Sequence, residues 1–191
     1  MISPFDRLDY PSLRQSVYLN QASLGLISQP AVTAMHTFID NVARHGNLHM
    51  SDSDEVAYCE TLRERASRLL HCDSSRVAIV ASASEILGQL PMLLQPRLKS
   101  TVLAVSSDFP AITRPWLREA ALKNHTVRFV DDQPTRDLTD TLTEATDEST
   151  SVVAVSSVQY ATGTVVDISR LRQSTISAHA AASRMSARDP R

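Results

Sequence analysis

Apolar side chains recur with helical spacing in the first part of the chain. Between Pro30 and Val42 they fall three or four positions apart, and Pro30 lies where a first helical turn accepts proline. A polar stretch interrupts the pattern, and Asp52 followed by Glu55 has the spacing of a helix start. The pattern therefore predicts two amphipathic helices, the second ending near Leu70.

After Arg76 the pattern changes to short, continuous apolar runs separated by segments of helical period. Such runs are typical of strands that are covered on both faces. The predicted strands are VAIVA (77–81), TVLAV (101–105), TVRFV (126–130) and SVVAVSSV (151–158). Strands that alternate with helices indicate βαβ units with parallel strands and right-handed crossovers. The predicted fold class is therefore α/β, with a mostly parallel sheet.

This regular pattern ends near Arg172. We divide the chain into an N-terminal segment and helix (1–50), a partial sheet domain (51–172) and a tail (173–191) that lacks any apolar period. The tail is rich in Ala, Ser and Arg, which is typical of out-of-frame reading of a GC-rich gene. We interpret it as a frameshifted or disordered segment, and the coding DNA beyond residue 173 distinguishes the two.

Composition narrows the class of protein further. Apolar residues make up 42% of the chain and the net charge is -2, which indicates a globular protein and disfavours nucleic acid as a partner. No run approaches the roughly 18 apolar residues of a membrane span. Cys59 and Cys72 lack metal-ligand spacing, so we expect buried free thiols and a cytoplasmic location.

Open parallel sheets bind ligands beyond the carboxyl ends of their strands, so the residues after each predicted strand are candidates for a site. Ser82 and Glu85 have capping-box spacing, which starts a helix directly after the first strand. The amides of Ala83 and Ser84 would then lie at the positive end of that helix, where a phosphate binds well. An ordinary capped helix explains the same residues.

Aromatic and polar side chains follow two of the other strands. After the second strand we expect Asp108, Phe109 and Trp116 on the ligand side, where an aromatic ring can stack on a flat ligand. The alternative is a core phenylalanine. After the fourth strand come Gln159, Tyr160 and Thr162, with Gly163 permitting a tight turn; an ordinary turn is the alternative there.

A metal site is not predicted. Among the six histidines only His45 and His49 approach the spacing of a helical metal pair, and Gly46 and Asn47 interrupt the helix that such a pair needs. The GxGxxG, P-loop and GxSxG motifs are also missing from the sequence.

Taken together, four segments resemble the class V aminotransferase-like family of fold-type I pyridoxal-phosphate enzymes. They are YLNQASLGLISQPAVTAM, VAIVASASEIL, SDFPAITRPW and VVAVSSVQYATGTVVDISRL, in this order, between Tyr18 and Leu171. The family includes cysteine desulfurases, selenocysteine lyases and isopenicillin-N-epimerase-like proteins. The resemblance implies an incomplete three-layer sandwich, pyridoxal 5'-phosphate as cofactor, a small amino acid as substrate and a homodimer in the intact family.

The resemblance also suggests roles for residues near the start of the match and at the phosphate. NQA resembles the family's N-terminal turn at the substrate entrance, which implies that Asn20 and Ala22 bind substrate. SASE resembles the family's phosphate-binding turn, which assigns that role to Ala83 and Ser84. Ala83 has no hydroxyl, so its contribution would come from the backbone alone.

Two aromatic residues are implied at the cofactor ring. DFPA resembles the family's E-H-P-A, so Phe109 would stack on the pyridine ring without exchanging protons as histidine does. VQYATG resembles the stretch that contacts the cofactor's phenolic oxygen, and Tyr160 stands where desulfurases have asparagine.

The family's most important catalytic groups have no counterpart in this sequence. In the family, a later strand carries an Asp that pairs with the pyridine nitrogen, and a lysine further on forms the Schiff base. The lysines here are Lys99 and Lys123, before the second strand and at the end of a helix. No catalytic residue is therefore predicted, and we expect the chain to be inactive alone and to lack covalent attachment of cofactor.

Two other interpretations stay open. One is a non-catalytic remnant or interaction module; the other is an unrelated nucleotide-binding α/β domain, although no glycine-rich loop supports it. Because the later strands of the family's sheet have no counterpart in this sequence, we expect an unpaired sheet edge and uncovered apolar faces, and hence poor solubility or partial unfolding.

Overall fold

The computed structural model describes residues 7–175, in two units of which the first ends at Ile79 and the second begins at Val80. The predicted tail lies outside the described residues, apart from positions 173–175, which continue a helix that begins at residue 168. The predicted division at residues 50 and 172 stays a prediction.

The first unit is helical, as the apolar period predicts. Its long helices are α1 (Gln29–His45) and α2 (Asp52–Leu70), and its short 3₁₀ helices are Arg7–Asp9, Pro11–Arg14, Gly46–His49 and Ser74–Arg76. The predicted start of α2 is confirmed, but its capping pair lies one position earlier than expected. The Ser51 hydroxyl accepts from the Asp54 amide at 3.3 Å, and the Asp54 carboxylate accepts from the Ser51 amide at 2.9 Å.

Both cysteines are free, but Cys59 is exposed and Cys72 is only half-buried. The expectation of buried thiols is therefore wrong for Cys59, which lines an open groove on α2 together with Tyr58 and Leu62. Within residues 7–175, no helix has the length and apolar character needed to cross a membrane.

The second unit is an α/β structure with a parallel sheet, which confirms the predicted fold class. Its elements are α3 (Ala83–Leu94), β1 (Thr101–Val105), α4 (Pro110–Lys123), β2 (Thr126–Val130), α5 (Leu138–Ala145) and β3 (Thr150–Ala154). The strand order is β2-β1-β3, and Val102 of β1 lies beside Val127 on one side and Val152 on the other.

Every residue of β1 is buried because this strand lies in the middle of the sheet. Alternate side chains point to opposite faces. Leu103 packs with Leu142 of α5 on one face, and Val102 packs with Trp116 of α4 on the other. Helices therefore cover both faces of the sheet, as expected for right-handed crossovers that run in opposite directions along it, from β1 to β2 through α4 and from β2 back past β1 to β3 through α5.

Two strand predictions and one side-chain prediction are wrong in detail. Residues 77–81 form no strand and are mostly exposed, because their apolar character is not matched by a neighbouring strand that could supply ladder hydrogen bonds. The last strand ends at Ala154, not residue 158. Trp116, expected on the ligand side, is 4% exposed and belongs to the core.

Candidate functional site

The carboxyl ends of the three strands form one edge of the sheet. From β1 the chain passes to β2 on one side, and from β2 it returns past β1 to β3 on the other side. Ligands of open parallel sheets bind at such a switch point. The segments that meet there are 106–109, after β1, and 155–160, after β3. These are the segments in which the sequence predicts ligand-side residues.

Asp108 joins the two segments. Its Oδ1 accepts from the Phe109 amide at 2.7 Å and from the Ser156 hydroxyl at 2.6 Å. Its Oδ2 accepts from the Ser156 amide at 2.7 Å and from Gln159 Nε2 at 3.2 Å. Asp108 is 5% exposed, so it is a buried acceptor and not the ligand-facing group that the sequence predicts. Its role could not be found from local pattern, since its partners Ser156 and Gln159 lie 48 and 51 residues away in sequence.

Phe109 and Tyr160 lie together on the outer side of the hydrogen bonds to Asp108. Their ring centroids are 5.5 Å apart and the ring planes cross at 81°, an edge-to-face contact. Phe109 is 48% exposed and Tyr160 is 65% exposed. The alternative of a core phenylalanine is therefore excluded, and both rings offer apolar surface to a ligand.

A tight loop carries Tyr160. Val158 and Val165 form an antiparallel bridge, the Gln159 amide donates to the Thr164 carbonyl at 2.9 Å, and the Gly163 amide donates to the Gln159 carbonyl at 2.8 Å. Gly163 has φ = +75°, so the turn predicted at this glycine is confirmed. We call residues 157–166 the aromatic loop.

Two carboxylates, the exposed Asp131 and the half-buried Asp132, also tie the aromatic loop and the strand ends. The Thr162 hydroxyl donates to Asp132 Oδ2 at 2.6 Å, and the Ser106 hydroxyl donates to Asp131 Oδ1 at 2.7 Å. Each links a segment that follows β2 to one that follows another strand.

The start of α3 has the predicted cap. The Ser82 hydroxyl accepts from the Glu85 amide at 3.2 Å, and the Glu85 carboxylate accepts from the Ala81 amide at 2.9 Å. No hydrogen bond within the described part of the chain uses the Ser84 hydroxyl or the amides of Ala83 and Ser84. These donors lie at the positive end of a helix, where anions are stabilised.

Ser84 and Gly88 of α3 line an open groove of about 440 Å³ against the start of α4. Pro110, Arg114 and Arg118 form the opposite wall. Both arginines are exposed and, over residues 7–175, neither takes part in an ion pair. Sequence reasoning missed them, although their four-residue spacing on a predicted helix places both side chains on one face.

The sequence model of the family Aminotransferase class-V matches residues 17–183. The chain belongs to the class V aminotransferase family. The match covers the predicted range and continues past Arg172 into the tail, while the frameshift interpretation of that tail stays a prediction. No curated protein matches the chain in sequence.

Solved structures of class V enzymes share the fold. A lysine-to-alanine mutant of C-DES, with glycine covalently linked to its PLP cofactor, superposes with a TM-score of 0.74 at 18% identity, covering 88% of this chain and 45% of C-DES. The cysteine desulfurase CsdA from Escherichia coli gives 0.70 at 24% identity, with 90% and 45% covered. The apo cysteine desulfurase from Thermococcus onnurineus gives 0.70 at 17% identity, with 90% and 44% covered.

These identities establish the fold alone, and the chain spans less than half the length of each of these structures. Pyridoxal phosphate is supported as the cofactor of the class V family. The fit of this chain to the cofactor therefore depends on the hydrogen-bond donors and aromatic rings at the carboxyl edge of the sheet.

The groups at the edge fit two parts of pyridoxal phosphate. Free amides at Ala83 and Ser84, the Ser84 hydroxyl and the guanidinium groups of Arg114 and Arg118 suit a phosphate dianion. The exposed ring of Phe109 suits the flat pyridine. The fit does not extend to covalent attachment.

Neither lysine of the chain lies at this edge. Lys99 precedes β1 by two residues, and Lys123 ends α4 shortly before β2, where it pairs with Glu119 at 2.8 Å. Because the strands are parallel, both lysines lie at the amino ends of the strands, on the opposite edge from Phe109 and Tyr160.

The residues expected at the substrate entrance belong to the first unit. Asn20 begins a turn, its carbonyl accepting from the Ser23 amide at 3.3 Å, and both Asn20 and Ala22 are exposed. Their role toward substrate stays a prediction. Within residues 7–175 no three His, Cys, Asp or Glu side chains are grouped to hold a metal ion.

Proposed function

We propose that the chain supplies the phosphate-binding and ring-binding half of a pyridoxal-phosphate site that acts on a small amino acid, and that it holds the cofactor without a covalent bond. The observation that carries this proposal is the exposed Phe109–Tyr160 pair at the switch point of the sheet. Family membership supports the choice of cofactor over other flat anionic ligands.

Each group would have a separate task. Ala83 and Ser84 donate to the phosphate through the start of α3, and Arg114 and Arg118 neutralise its charge. Phe109 packs on one face of the pyridine and Tyr160 limits the position of Phe109 through their edge-to-face contact. Bound pyridoxal phosphate supplies an electron sink for bond cleavage at the α-carbon of an amino acid.

An amino acid substrate is supported by the relatives. C-DES is a cystine C-S lyase, and CsdA is a cysteine desulfurase. We propose that Asn20 and Ala22 face this substrate, as the family resemblance implies.

Cofactor titration followed by borohydride reduction tests the proposal. We expect pyridoxal phosphate to bind reversibly, to be removed by dialysis and to leave no stoichiometric adduct after reduction, because Lys99 and Lys123 lie at the wrong edge. Intact-mass measurement after reduction checks this, with Ser84→Ala expected to weaken binding and Ser53→Ala, an exposed serine in α2, as the matched control. Stoichiometric labelling of either lysine, or the absence of any binding, contradicts the proposal.

A non-catalytic binding module is the second candidate. The placement of both lysines at the opposite edge of the sheet favours it over an independently active enzyme. Turnover of an amino acid by the chain alone, at a rate above free pyridoxal phosphate, would rule it out.

A further inference from the structure

Asp108 is a buried carboxyl group that forms no ion pair within residues 7–175. The four groups that donate to it are two amides, one hydroxyl and one carboxamide, from Phe109, Ser156 and Gln159. Burial of a polar group is costly unless hydrogen bonds satisfy it, so each of these donors stabilises the Asp108 carboxyl group in its buried position. A buried group satisfied in this way holds its donors in one arrangement.

One ring of the site belongs to a donor residue, Phe109, and the other belongs to Tyr160, which follows the donor Gln159. Phe109 is held through its own amide at 2.7 Å, and Tyr160 follows Gln159, whose Nε2 also donates to the Ser156 carbonyl at 3.2 Å. Gln159 is 1% exposed while Tyr160 is 65% exposed, so the Gln159 side chain points inward and the Tyr160 ring outward. The distance between Phe109 and Tyr160 is therefore set by groups that share one carboxylate.

We propose that Asp108 is a positioning residue: it brings the Phe109 and Tyr160 rings into register from two loops that are about fifty residues apart. Its effect on cofactor binding rests on the proposed function, but its effect on the rings does not. Asp108 itself is 5% exposed and accepts four hydrogen bonds, so its proposed role involves no contact with the ligand.

Asp108→Asn is the informative variant because it keeps the shape and removes the charge. If the new amide nitrogen replaces Oδ2, it faces the Ser156 amide and Gln159 Nε2. If it replaces Oδ1, it faces the Phe109 amide and the Ser156 hydroxyl, and only the hydroxyl can turn to accept. Either orientation sets two donors against each other and breaks the link to one loop. The matched control is Asp131→Asn at the same edge, where one hydroxyl donates to an exposed carboxylate.

The test measures ring contact and cofactor affinity separately. In wild type and in Asp131→Asn we expect a nuclear Overhauser contact between the Phe109 and Tyr160 ring protons. In Asp108→Asn we expect this contact to be lost and the dissociation constant for pyridoxal phosphate to rise at least about tenfold. Ser156→Ala, which removes one donor and keeps the carboxylate, should move both readouts in the same direction by less.

The outcomes separate the two proposals. If wild type has the ring contact but binds no pyridoxal phosphate, the proposed function fails while loss of the contact in Asp108→Asn still supports positioning. If Asp108→Asn does not fold, Ser156→Ala decides. Retention of the ring contact and of affinity in the folded fraction of both variants, with only a lower unfolding midpoint, would mean that Asp108 is merely structural and would overturn the inference.

Discussion

Phe109 gives the sheet edge an aromatic face but no proton to exchange, and this defines what the residue can do for a ligand. Replacement by alanine removes the stacking surface, so Phe109→Ala should weaken pyridoxal-phosphate binding by about five- to tenfold. Phe109→His keeps a flat ring and should retain most of the affinity. Fluorescence titration measures both, with Phe38→Ala in α1 as the control because Phe38 is similarly exposed (42%). Equal affinity for Phe109→Ala and wild type would contradict stacking.

Folding lowers the pKa of the Asp147 carboxyl group. Hydrogen bonds from Ser149, at 2.6 and 2.9 Å, and the guanidinium of Arg128, at 2.9 Å, lower its pKa from 3.8 to about 2. A carboxyl whose pKa is lowered by folding stabilises the protein above its ordinary pKa, and this stabilisation is lost as the pH falls toward the folded-state value. Asp147→Asn should therefore cost about 1 kcal/mol at neutral pH, a modest amount because the side chain is 48% exposed.

Urea unfolding of the wild type and Asp147→Asn at several pH values checks this expectation. The difference between them should shrink as the pH is lowered from 3.8 to about 2. Glu148→Gln, at the next position and exposed, should have no such effect. A difference that stays constant over this range would show that the charge of Asp147 is not responsible.

At the scale of the elements, the same chemical change in two glycines should have opposite effects. Gly163 has φ = +75° in the aromatic loop, so Gly163→Ala should destabilise by about 1 kcal/mol. Gly88 lies inside α3 with open space around its Cα, so Gly88→Ala should stabilise by up to about 1 kcal/mol. Since nothing lies within 4 Å of either added methyl group, backbone conformation alone causes the difference. Chemical denaturation measures the free energy of unfolding of both variants. A change of the same sign in both would contradict the backbone conformation of one of the two glycines.

The elements that the sequence predicts well are those that depend on local information. The helices α1 to α5 follow from apolar period and from caps such as Ser82, which act within a few residues. Residues 77–81 have the composition of a buried strand but form none, since a strand needs a partner that lies elsewhere in the chain. Phe109 and Tyr160 could be named from the sequence, each from its own segment. Asp108 could not be recognised as the group that joins them, because its partners Ser156 and Gln159 lie in a distant segment.

At the scale of the whole molecule, the position of a group relative to the two edges of the sheet determines what it can do. The carboxyl edge has the free amides, the arginines and the exposed rings, and the amino edge has both lysines. Large apolar side chains of α1, among them Met35 and Ile39, are more than half exposed. The expectation of poor solubility agrees with this exposure and stays a prediction.

The most direct test of the central claim is an amide-resolved NMR titration of the ¹⁵N-labelled chain with pyridoxal phosphate. We predict saturable shifts at the amides of Ala83, Ser84, Phe109 and Tyr160, and inorganic phosphate should reproduce only those of Ala83 and Ser84. Signals of Lys99 and Lys123 should stay unchanged. Shifts that centre on the lysines, or no saturable shifts at the carboxyl edge, would contradict a cofactor site there.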